Sequence, residues 1–211
     1  MQTNKARSLH IHRLVLDAML AALFFALSLF SVDLGFIKFT IAPLAILIAG
    51  LLFGPVDGAV VGLIGAFLEQ LVKYGFSITM PLWIFPAVVR GLLIGALALL
   101  MRSYFKKKGG DGFSPAKAGT LLPLFAAFTI ISAVISAIVV TLCNTVPLYV
   151  DFKVFGWSNE NPLLWSALSA RFLSGMLTST ILGFVVPLVV VPTAKALERI
   201  KKCGGRSSHK R

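Results

Sequence analysis

Acidic residues are scarce in this chain: eight Asp and Glu stand against twenty Lys and Arg in 211 residues, and charged residues of both signs total 13%. Soluble domains carry about 25% charged residues, so a water-facing globular surface is excluded. Histidine is nearly absent, with three in all. His10 and His12 have no third ligand at metal-binding spacing, and no metal site is predicted. Two cysteines, Cys143 in an apolar run and Cys203 in the basic tail, give no disulfide framework. The sequence also lacks a phosphate-cradling glycine loop, a paired-carboxylate motif and a serine with a plausible base. Proton-moving chemistry, covalent catalysis and ATP hydrolysis all need such groups. The chain therefore reads as a non-enzyme that requires no cofactor.

What fills the sequence is hydrocarbon: 57% of residues are hydrophobic and the mean hydropathy is +0.90. Apolar runs lie at about 14–31, 40–54, 56–73, 82–101, 119–145 and 164–191, against a requirement of roughly 20 residues per crossing. The predicted fold is an all-α membrane protein with six transmembrane helices. The second run is short, bounded by Pro43 and Gly54-Pro55, and is expected to be irregular where protein shields it from lipid. The basic start and the Ala26-Leu27-Ser28 triplet resemble a signal peptide. The four-residue alanine spacing of the same run argues that it is retained.

The net charge of +12 is distributed by side. Lys5, Arg7 and Arg13, the Arg102–Lys117 region and Lys195–Arg211 fall on one face of the membrane, and only Lys38, Lys73 and Lys153 on the other. The positive-inside rule places both termini in the cytoplasm. The basic excess records topology in the lipid bilayer, and no nucleic-acid role is inferred. The expected organisation is a cytoplasmic N-terminus at 1–13, a membrane domain at 14–196 with a cytoplasmic loop at 103–117, and a basic cytoplasmic tail at 197–211.

Two permanent cations interrupt the apolar runs. Arg90 and Arg171 each lie about seven residues inside a span, and a mid-membrane arginine costs roughly 2.5 to 3.5 kcal/mol on insertion scales. Trp83, Ala87 and Ile94 share the helical face of Arg90. Ser174 and Thr178 follow Arg171 in a polar line. Glu69 could pair with Arg90, or with Lys73 at i, i+4. It cannot neutralise both arginines, which leaves room for a carboxylate or phosphate gripped bidentately. Trp83, Trp157 and Trp165 all belong to the outer side, either as belt residues or, in part, as a stacking surface. Asn144 and Lys38 complete the candidate binding set. Asp17, four residues after Arg13, reads as an interfacial ion pair.

Small residues form two strips. Ala18, Ala22 and Ala26 recur on the first helix, and Gly58, Gly62 and Ala66 on the third. Such strips allow close helix approach in lipid, either inside the bundle or against a partner.

Ala18-x-x-x-Ala22, the segment Leu52-Phe53-Gly54-Pro55-Val56-Asp57-Gly58 and the segment Phe85-Pro86-Ala87-Val88-Val89-Arg90-Gly91 together resemble the substrate-binding S components of energy-coupling factor (ECF) vitamin transporters. The resemblance covers nearly the whole chain. It implies a multi-pass protein of the bacterial plasma membrane that captures a vitamin from outside. It further implies docking, through Ala18, Ala22 and Ala26, on a transmembrane coupling protein that carries two ATPase subunits. The Arg-Gly of the fourth helix is most similar to the folate group, with pantothenate carriers close behind; both substrates are carboxylates. The alternative is a stand-alone facilitator or small secondary carrier, which would move its substrate without ATPases.

Overall fold

The computed structural model describes residues 2–33, 38–107, 122–156, 163 and 165–206. Among the described residues are six α-helices, α1 (Gln2–Leu29), α2 (Pro43–Leu52), α3 (Pro55–Lys73), α4 (Met80–Lys107), α5 (Leu122–Val150) and α6 (Trp165–Arg206). Four helical segments among the described residues are long and apolar enough to cross a membrane: Pro55–Lys73, Met80–Ser103, Phe125–Phe155 and Trp165–Ala196. The expectation of helices alone needs one amendment. Val32–Asp33 (β1) and Lys38–Phe39 (β2) form an antiparallel pair, Val32 opposite Phe39 and Asp33 opposite Lys38, in the connection between α1 and α2.

The second apolar run is the other departure. Helix α2 has 10 residues, about 15 Å at 1.5 Å per residue, half of a hydrocarbon core of roughly 30 Å. Pro43, Ala45, Ile46, Leu47, Ile48, Ala49, Gly50 and Leu51 are all buried, so its apolar character all round answers to protein on every side. Its last carbonyls need partners that lipid cannot give. The guanidinium of Arg102 supplies them, with Nη2 donating to Leu51 O at 2.5 Å and Leu52 O at 3.4 Å. Gly54 then turns the chain with φ +118°, a conformation open to glycine, and Pro55 starts α3.

Helix α3 packs most extensively on α4 and α5 on α6, while α1 covers α3 and α2 touches α1, α3, α4 and α6. The α3–α4 crossing depends on missing side chains. A Cβ on Gly91 would fall 2.2 Å from the backbone of Gly58, and one on Gly62 would fall 2.6 Å from Ala87 O. The glycine strip of α3 is thus internal packing. The alanine strip of α1 is not: Asp17, Ala21, Phe24 and Ser28 form the buried face, and Ala18, Ala22 and Ala26 are exposed.

Several expected boundaries move. Pro147 does not end α5, which runs on to Val150 and into a π-helical turn, Asp151–Phe155. Nor does α6 stop before the tail, since it continues through Pro187 and Pro192 to Arg206. Arg13 pairs with Asp57 of α3 instead of Asp17, and also donates to Phe53 O at 2.6 Å. The lysine–glutamate expectation holds: Lys73 Nζ lies 3.3 Å from Glu69 Oε1 and donates to Ser31 Oγ at 2.8 Å, tying the end of α3 to the end of α1. Most of the expected cytoplasmic loop, 108–117, lies outside the described residues.

Candidate functional site: a cavity with two arginines

All six helices contribute to one cavity of about 400 Å³, within the usual range of roughly 300–1,000 Å³ for small-molecule sites and near its lower end. Helix α3 contributes Ala66, Glu69 and Gln70; α4 contributes Trp83, Pro86, Ala87 and Arg90. Helix α5 presents Ser136, Thr141 and Asn144 among small apolar residues, and α6 presents Arg171, Ser174, Gly175, Thr178 and Ser179. Phe24, Pro43, Leu47 and Leu182 supply apolar surface, and Leu47 and Leu182 also belong to the buried cluster that contains Ile94 and Phe125.

The α3–α4 crossing sets the position of Arg90. Gly91 lies against Gly58 and Ala87 against Gly62, so the next side chain round α4 is directed into the cavity, where Arg90 is found. Ile94, one turn further on the same face, is fully buried in the apolar cluster instead. Among the described residues the Arg90 guanidinium makes no hydrogen bond and no ion pair. Arg171 lines the cavity from α6 and is braced by its own helix, Nε donating to Ala167 O at 3.1 Å. Two fixed positive charges therefore line one cavity.

Trp83 lines the same space, and its indole Nε1 donates to Asp151 Oδ2 at 3.0 Å. The hydroxyls divide into two kinds. Ser136 and Ser174 donate to carbonyls of their own helices, Ala133 O at 2.8 Å and Arg171 O at 3.0 Å. The Thr178 hydroxyl is buried with no hydrogen-bond partner.

Seven of the nine binding residues expected from sequence line this cavity: Arg90, Arg171, Trp83, Glu69, Asn144, Ser174 and Thr178. Trp157 lies outside the described residues. Lys38 sits on β2 by its backbone, while the placement of its side chain is outside the description. Tyr74 lines the cavity, whereas Phe76 is 85% exposed and borders a separate apolar groove between α3 and α4. Trp165 is 85% exposed, as a belt residue would be. Ser136, Thr141, Ser179 and Gln70 were missed. The signal for the α5 pair was present, because small hydroxyls recur on one side of an otherwise apolar helix, as they do on α6.

Residues 12–190 match the family model described as ECF transporter, substrate-specific component. A solved structure of the S component of a bacterial ECF transporter superposes with a TM-score of 0.59 at 20% identity, covering 89% of this chain and 98% of that one. At that identity the likeness speaks for the fold. Among curated proteins none matches.

Proposed function

The chain belongs to the ECF transporter substrate-specific components, which are transporter subunits and not enzymes, and on that premise we propose that it captures an anionic vitamin from outside the bacterial plasma membrane. The single observation that carries the anion is Arg90, a permanent cation lining the cavity without an ion pair among the described residues. Buried charge of this kind is costly unless matched. A carboxylate held by Arg90 and Arg171 would match it, with the planar guanidinium groups well suited to bidentate contact. Folate and pantothenate are the candidate substrates, both being carboxylates.

In this reading all six helices lie in the membrane, with α2 as a half-depth element, and the charge distribution puts both termini in the cytoplasm. The exposed alanine face of α1 is the docking strip for the coupling protein and its two ATPases. Small residues that the bundle leaves uncovered support contact with another helix.

The deciding experiment measures binding of folate and of pantothenate to the purified full chain and to Arg90→Ala and Arg171→Ala. Either substitution is expected to abolish binding of the vitamin the wild type takes, while the variant stays folded and monodisperse. Unaltered binding in both variants would put the site elsewhere.

A further inference from the structure

Resting on that reading, we propose that the captured anion is a flexible acid bearing hydroxyl or amide N–H groups along its chain, and that Thr141, Asn144, Thr178 and Ser179 read those groups. A hydroxyl on a membrane helix ordinarily satisfies itself by donating to a carbonyl one turn back. Ser136, Ser174, Thr145 and Thr180 all do so. Thr178 does not, although its oxygen is buried and its side chain lines the cavity. Thr141, Asn144 and Ser179 also make no side-chain hydrogen bond among the described residues, and Thr141 and Ser179 are buried as residues. Four polar groups with unused capacity on one wall describe a surface awaiting hydrogen-bonding partners, since buried polar groups are otherwise paired.

Their arrangement gives the ligand a length. Arg171, Ser174 and Thr178 recur along one face of α6, so the polar track from the cation to Thr178 extends about 10 Å at 1.5 Å per residue. Gly175 keeps the track continuous with α5, for a Cβ there would stand 3.1 Å from Thr141 Oγ1. Beyond it the wall becomes Leu182, and Leu47 faces the same space. Among the described residues no aromatic side chain lines the α5–α6 wall. The aromatic groups that line the cavity among the described residues stand on other elements: Phe24 of α1 is packed on Gly65, the Trp83 indole of α4 is held by Asp151, and Tyr74 caps the C-terminal end of α3. A ligand lying along α5 and α6 is therefore met by hydroxyls and an amide, with no ring to stack on along that wall. A hydroxylated or amide-linked aliphatic acid fits that wall, and a fused aromatic ring does not.

The test uses two probes on the purified full chain. Pantothenate is a carboxylate with an amide and hydroxyls and no ring; folate joins its carboxylates to fused rings. Pantothenate is expected to bind, and the shape-preserving substitutions Thr178→Val and Thr141→Val are each expected to weaken it about tenfold with unfolding temperatures unchanged. Binding of folate but not pantothenate, binding of neither, or pantothenate affinity indifferent to both valines overturns the proposal. Arg90→Ala separates the two failures. Binding that is lost in Arg90→Ala yet insensitive to the valines leaves anion capture standing and removes only the hydroxyl readout. Binding that survives Arg90→Ala removes both.

Discussion

The indole nitrogen of Trp83 donates to Asp151 Oδ2 at 3.0 Å, across 68 positions of sequence. This bond joins α4, on the same face as Arg90, to the π-helical turn that follows α5. Trp83 lines the cavity, so the bond fixes one of its walls to the segment that leaves α5. The other carboxylate oxygen, Asp151 Oδ1, is buried without a partner, which makes the indole the one side-chain partner of Asp151 among the described residues.

A hydrogen bond to a charged group contributes roughly 1.5–3 kcal/mol, so Asp151→Ala is predicted to destabilise the protein by about 2 kcal/mol. Asp151→Asn keeps an acceptor oxygen and is predicted to lose less than half as much. Thermal unfolding in detergent measures both. Fluorescence in a background with Trp157→Phe and Trp165→Phe adds a local readout, because the Trp83 emission should change in the alanine variant and stay near wild type in the asparagine variant. Equal unfolding and equal spectra for the two variants would mean that the bond does not hold this wall.

Gly91→Ala is predicted to be among the most damaging single-methyl additions in the protein. The new Cβ would lie 2.2 Å from the Gly58 carbonyl, and what it meets is backbone, with no rotamer to change. Helices α3 and α4 would have to separate, at a cost of about 3 kcal/mol or more by the usual scale of overpacking. The yield of monodisperse protein and its unfolding temperature report this. Gly75→Ala is the control: a Cβ there meets nothing within 4 Å, although φ is +74°, so only the modest strain of a left-handed residue is added.

Apolar runs announced α3 to α6 because lipid-facing helices must be hydrophobic over most of their length. Arg90 and Arg171 stood out because each was expensive where it stood, and both line the one cavity. The run at 40–54 carried the same composition for a different reason. Protein covers α2 on all sides, and hydropathy cannot tell burial in protein from burial in lipid. Two-residue strands such as Val32–Asp33 are too short to show alternation. Arg13 pairs with Asp57, 44 residues away, and not with the nearby Asp17. Only tertiary packing decides such a choice. The α5 hydroxyls were visible as residues, but their bearing on the cavity depended on the rotation of α5 against α6.

The exposed alanine face of α1 gives a prediction about transport. Ala22 is exposed while its neighbour Ala21 is 1% exposed, so a large side chain at 22 disturbs no packing inside the bundle. Ala22→Trp is therefore predicted to leave substrate binding and stability within about 0.5 kcal/mol of wild type, as surface substitutions usually do. In cells that contain the coupling protein and ATPases it should nearly abolish uptake. Ala21→Trp should instead fail to fold. Normal uptake by Ala22→Trp would remove the docking strip from the mechanism.

Arg90 offers the sharpest contrast between stability and function. A charge that lines the cavity without an ion pair among the described residues is a liability to the fold, and replacing it with an apolar group of similar length should relieve that cost. Arg90→Met is thus predicted to stabilise the ligand-free protein by about 1–3 kcal/mol, a range in keeping with apolar replacement of buried charges. The same variant should lose binding outright. Ligand should then raise the unfolding temperature of wild type, by mass action on the folded state, and leave Arg90→Met unmoved. Were Arg90→Met less stable than wild type when both are empty, the guanidinium would be supporting the bundle itself, and the case for an external anion would lose its basis.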